Sequence, residues 1–116
     1  RELDLELSAA LADAGAAEPA VRLLDERLKQ DENDADALLA RGALRLRQGA
    51  ASDAATDLNA AIRVARPDWP RTQLAMARVL ATESLLSAGR LAEARVGLEQ
   101  LQRDFPGIPA AMLLDA

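Results

Sequence analysis

The sequence predicts an all-α fold built from consecutive antiparallel helix hairpins, and three observations predict it. Gly15, Gly49 and Gly89 punctuate the chain at intervals of 34 and 40 residues, each closing an amphipathic run. Beyond each glycine the same small and large residues recur at helical spacing. They are Ala20, Leu24 and Leu28 after Gly15, then Ala54, Leu58 and Ile62 after Gly49, then Ala94, Leu98 and Gln102 after Gly89. Self-similarity at such a period marks a repeat architecture, in which each unit buries its apolar face on its neighbour. Finally, the apolar half of the composition is mostly Ala and Leu, with Trp69 and Phe105 the only aromatics, and both residue types favour helices.

The first helix is expected from about Glu2 to Ala14, with Leu3, Leu7 and Leu11 along one side. Gly15 supplies the left-handed residue that ends such a helix. Pro19 falls in the first turn of the second helix, where proline is tolerated. That helix carries Val21, Leu24 and Leu28 inward and stops in Asp31-Glu32-Asn33-Asp34, residues that favour turns and caps. As a calcium loop this cluster fails, because the sixth and twelfth places from Asp31 are Asp36 and Gly42 instead of Gly and Glu. A third helix is expected over Asp36–Gln48 and a fourth over Asp53–Ala65, with Ser52 as its N-cap. Pro67 and Pro70 then break the chain around Trp69. The six residues beyond the 34-residue period fall here. They extend the N-terminus of a fifth helix, which should run from near Pro70 to Ala88, about 28 Å. A sixth helix follows over Leu91–Asp104. After the break at Phe105–Pro109, an apolar helix is expected over Ala110–Ala116.

With those small and large residues at those offsets, the chain resembles the tetratricopeptide repeat (TPR) family. Repeat two carries Leu38, Gly42, Gly49, Ala54, Leu58, Ala61 and, one place late, Pro67; repeat three carries Gly89, Ala94, Leu98 and Pro106. Repeat three has Ala81-Thr82 where Leu-Gly is usual, and repeat one has Asp4 and Ser8 in the usual Trp and Gly places. The resemblance covers nearly the whole chain as three units, 1–34, 35–68 and 75–108, with a junction insertion at about 67–74. It implies one domain, a right-handed superhelical solenoid of three hairpins. The stretch 109–116 would be a short C-terminal capping helix or the start of a fourth repeat.

Composition excludes much. No His, Cys or Tyr is present, so the commonest proton shuttle, the thiol nucleophile and the phenol are missing. The four serines have no base that the sequence places beside them, and the glycines are spaced as helix stops, not as a phosphate loop. A non-catalytic protein without cofactor or metal is expected. The net charge of −5 comes with no basic stripe, which argues against nucleic acid. No apolar run approaches the roughly 18 residues of a membrane span. The Arg- and Ala-rich usage suggests a bacterial source, with the compartment open. Because the chain opens on Arg1 without Met or a secretory pattern, it is expected to be part of a longer protein.

Function is then expected from surface. In the TPR family the first helix of each pair lines a concave face, through the second, fifth, ninth, twelfth and thirteenth places of the repeat. The resemblance therefore implies a groove of Glu2, Leu5, Ala9, Ala12 and Asp13, then Asp36, Leu39, Ala43, Leu46 and Arg47, then Met76, Val79, Glu83, Leu86 and Ser87. Leu5, Leu39, Leu46, Val79 and Leu86 would form an apolar floor, with Glu2, Asp36 and Glu83 at the mouth. Such a groove suits a helical or extended apolar peptide segment of a protein partner. Alternatively these leucines pack on one another, the unit associates with a second copy or with neighbouring repeats, or it regulates an enzyme elsewhere in a longer chain. Trp69 could anchor a partner or plug the enlarged junction. Arg41 and Arg45, four apart on a packing face, call for carboxylate partners such as Asp53 or Asp57, for heads kept in water, or for a specific bound anion.

Overall fold

The computed structural model describes the backbone of residues 2–65 and 69–107, with side chains from Leu5 onward. Six helices and no strand occur among them: α1 (Glu2–Asp13), α2 (Ala17–Gln30), α3 (Ala35–Arg47), α4 (Ala51–Val64), α5 (Arg71–Ser87) and α6 (Leu91–Asp104). None is long and apolar enough to cross a membrane. The expected C-terminal helix lies outside the described residues.

The glycine period becomes one turn made three times. Gly15, Gly49 and Gly89 have φ of 84°, 83° and 77°, in the left-handed region that costs glycine no Cβ clash. Around each, the next residue's N–H reaches back to the third-last helical carbonyl: Ala16 to Leu11 at 2.7 Å, Ala50 to Arg45 at 2.8 Å, Arg90 to Leu85 at 2.9 Å. The glycine N–H bonds the following carbonyl, completing a Schellman motif that satisfies the helix end. This geometry corrects the expected cap of α4. The chain leaves the turn straight into helix, so Ala50 is the N-cap and Ser52 lies inside the first turn, exposed. Asp34 does cap α3, accepting from the Ala37 N–H at 3.1 Å while its other oxygen takes Arg27 Nε at 2.5 Å.

Each helix packs on the next in the chain, and α3 also touches α1 and α5. The odd helices thus lie side by side, with the even ones behind them. Leu24, Leu58 and Leu101 are the largest apolar side chains that are fully buried, one in each even helix. The first two sit at equivalent places, but the third does not: Leu98, the counterpart of Leu58, is half-buried and Leu101 replaces it. Leu58 reaches Ala81 on the following hairpin, and no described helix follows α6 to cover Leu98 in the same way.

Where paired helices approach most closely, one small residue is required. A Cβ on Gly42 would stand 2.7 Å from Leu58 Cγ and 3.3 Å from the Ala54 carbonyl oxygen. In the third hairpin Thr82 holds the place of Gly42, and the small residue has moved across to Gly97 on α6, where a Cβ would lie 3.1 Å from Thr82 Oγ1. Ser8 holds that place in the first hairpin. Ser8 and Thr82 are both buried, their hydroxyls donating to the Leu5 and Arg78 carbonyls at 2.8 and 2.9 Å. Gly42→Ala gains about 1 kcal/mol of helix propensity. Overlap with a branched core carbon costs about 1–3 kcal/mol. A net loss of about 1 kcal/mol is expected, read as a lower urea midpoint.

Candidate functional site

The side of the molecule formed by α1, α3 and α5 carries two connected depressions. The larger, about 480 Å³, is lined by Leu5, Asp36, Leu39, Ala40, Ala43, Pro70, Thr72, Gln73, Met76 and Leu80. The smaller, about 190 Å³ between α1 and α3, shares Leu5, Ala40 and Ala43 with it and adds Ser8, Ala9, Ala12, Asp13, Leu44 and Arg47. The alanines make the depression: a methyl where a longer side chain would stand lets the surface dip between the leucines. Met76, 56 % exposed, lies at its edge with a flexible, polarizable side chain that adapts to what it meets.

The structure distributes the expected groove residues unevenly. Leu5, Asp36 and Leu39 line the depression together. Leu39 and Leu46 are half-buried and rest on the Ala54–Leu58–Ala81 cluster, so much of their surface serves the core. Val79 packs on Leu101 and Phe105, and Leu86 on Ala55, Leu85 and Ala94. Neither lines the depression. On α5 that role falls to Gln73, Met76 and Leu80, one helical stripe at i, i+3 and i+7. Leu80 was missed because it holds the place of Ala40, which is not among the expected groove places, and Gln73 because it lies in the first turn of α5, ahead of the unit that begins at 75. Met76, already among the expected residues, could have led to both. Glu83 is half-buried, and the Glu2 side chain lies outside the described residues.

Trp69 and Asp36 belong to one arrangement at the mouth. The indole Nε1–H donates to Asp36 Oδ1 at 2.8 Å, and Gln73 Nε2 donates to the same oxygen at 2.9 Å. The ring is half-buried against the cluster that contains Leu24, Leu28 and Leu38. Asp36 therefore ties Trp69, two residues before α5, and the first turn of α5 to the N-terminal turn of α3.

Behind the depression, Arg41 and Arg45 find their partners. Arg41 Nε and Nη2 grip Asp57 at 2.9 and 2.8 Å, a two-pronged match of guanidinium to carboxylate, and Arg45 Nη1 joins Asp57 Oδ2 at 2.8 Å. Arg41 Nη1 adds Asp25 of α2 at 2.9 Å, a partner the sequence did not suggest. Asp53, the other expected partner, takes no part among the described contacts. The hydrogen bond to Asp57 raises the Arg41 pKa above its ordinary value, against the lowering that burial imposes. One network thus joins α2, α3 and α4.

At the far end, Arg78 Nη1 meets Asp104 Oδ2 at 2.5 Å and holds that carboxyl below its usual pKa. The stabilisation is present above the ordinary carboxylate range and fades as pH falls through the lowered value.

Comparison with known protein families finds no match, and comparison with curated proteins finds none either.

Proposed function

We propose that the chain is a non-catalytic protein-interaction module, a TPR-like solenoid of three hairpins that takes an apolar helical or extended peptide segment on the face formed by α1, α3 and α5. One observation carries the reading: the connected depression floored by Leu5, Leu39, Ala40, Ala43 and Leu80 and edged by Met76. An amphipathic helix presenting an apolar stripe would bury it on these side chains. The repeated Schellman turns and the side-by-side packing of odd helices support the solenoid. The absence of His, Cys and Tyr supports a non-catalytic role.

The test uses a displayed library of random 16-residue peptides, selected on the wild-type chain. Ala43→Arg places a long side chain on the floor at little cost to the helix. It is expected to weaken the selected peptides by at least about tenfold, or 1.4 kcal/mol, with circular dichroism unchanged. Undiminished affinity would sink the proposal. Leu39 and Leu46 are poorer probes, because their replacement also opens the core.

A specific observation favours a second reading, self-association. Leu7, Leu91 and Val96 are 51 %, 65 % and 52 % exposed, and they lie on α1 and α6, the first and last described helices. Light scattering across a hundredfold range of concentration separates the two. A constant monomer mass favours the foreign segment, and a concentration-dependent dimer lost on Leu7→Lys with Leu91→Lys favours the second copy.

A further inference from the structure

A second cleft, sharing no lining residue with the groove, opens where the end of α4 meets α5 and the end of α6. It holds about 540 Å³. Ile62, Leu74 and both of the chain's aromatics, Trp69 and Phe105, line it together with Arg71 and Arg78. The Arg71 guanidinium carbon stands 4.5 Å from the Phe105 ring centroid and that of Arg78 5.8 Å. Arg71 Nη2 also donates to the Asp104 carbonyl at 2.6 Å, and Arg78 to the Asp104 carboxylate.

These contacts secure the C-terminal end of α6, where cations are favoured. They do not exhaust the arginines, each of which carries five N–H donors. Among the described lining residues two guanidinium groups face one carboxylate. The cleft is therefore locally cationic in a chain of net charge −5. Arg71 is exposed, and stacking on Phe105 orients its planar head in advance of any ligand.

We propose that this cleft docks a carboxylate-bearing segment of a partner protein, an Asp or Glu meeting Arg71 beside a large apolar side chain received by Ile62, Trp69 and Leu74. Charge complementarity selects the acid, since a basic segment would face the excess of guanidinium. The apolar walls select its neighbour, and tryptophan and arginine, both present here, are among the residues enriched at interface hot spots. The inference is independent of the groove.

Trp69 is the chain's single tryptophan and lines this cleft. Because its indole also bonds Asp36 at the groove mouth, the titration is repeated on Ala43→Arg, where a response from the cleft stays unchanged. The probe is the capped tetrapeptide Asp-Leu-Asp-Phe, titrated beside its Asn-Leu-Asn-Phe and Lys-Leu-Lys-Phe counterparts. The acidic peptide is expected to give a saturable change below about 1 mM, weakened by added salt, and the other two none. Arg71→Gln should weaken it about tenfold, the loss of one charge-assisted hydrogen bond. Ala65→Glu places a carboxylate in the cleft from a residue that belongs to none of the core clusters. It should abolish the response with circular dichroism unchanged, even if Arg71→Gln disturbs α6. The same response to all three peptides, no saturable response, or a response intact in Ala65→Glu overturns the proposal.

Discussion

Asp57→Ala is expected to destabilise the chain by about 3 kcal/mol, more than any exposed substitution. The Asp57 side chain is 4 % exposed and the only described partner of Arg45, while Arg41 would keep just Asp25. Removing one member of a buried pair leaves the other charges desolvated and unpaired, which typically costs about 3–5 kcal/mol. The arginine side chains are 19 % and 28 % exposed, so water can reach them in part and the lower end applies. Chemical denaturation read by circular dichroism checks this. Because the network joins α2, α3 and α4, Arg41→Met in the Asp57→Ala background should recover part of the loss. A loss within 0.5 kcal/mol, the range of surface substitutions, would show that the network contributes little to stability.

Leu58→Ala is expected to cost a similar amount by a different route. Leu58 is 0 % exposed and clusters with Ala54 and Ala81, against Leu39, Leu46, Ile62 and Leu80. Truncation removes apolar burial and leaves a cavity, about 3 kcal/mol in well-packed cores. The cluster draws on α3, α4 and α5, so two hairpins lose contact together and no single loop can close the gap. Leu7→Ala on the exposed side of α1 provides the contrast, expected within about 0.5 kcal/mol. The two core substitutions are adjacent in sequence, yet they face different clusters of partners. Their sum in the double variant measures how independent the polar and apolar halves of this packing are.

Much of the helical plan was legible because it rests on local stereochemistry. Only glycine takes a left-handed turn without strain, so Gly15, Gly49 and Gly89 announced three helix ends whatever the tertiary context. Leu24 and Leu58 were legible for a related reason, since each lies nine residues beyond its glycine on the face opposite charged neighbours. What escaped depends on geometry across hairpins. The Asp25–Arg41 contact joins residues 16 apart on α2 and α3, and nothing local to either residue specifies it. The Asp36 carboxylate reads as a free acid at a groove mouth until the chain after α4 brings Trp69 and Gln73 to it. Val79 and Leu86 inherited groove positions through a register that counts residues. The register holds on α5, since Thr82 and Gly89 keep the places of Gly42 and Gly49. Val79 and Leu86 nevertheless pack into the clusters of Phe105 and Ala94, while Leu80, at the place of Ala40, and Gln73, in the added first turn of α5, line the depression with Met76. Ser52 was read as a cap from its residue type, whereas the Schellman turn had already fixed the helix start at Ala51.

The claim that most needs testing is that the face of α1, α3 and α5 receives a partner segment. At 12.3 kDa the chain suits a two-dimensional amide NMR titration with the tightest library-selected peptide. The account predicts that shifts concentrate on Leu5, Leu39, Ala40, Ala43, Met76 and Leu80 and vanish in Ala43→Arg. Shifts confined to α2, α4 and α6, with the Ala40 and Ala43 amides unmoved, would contradict it.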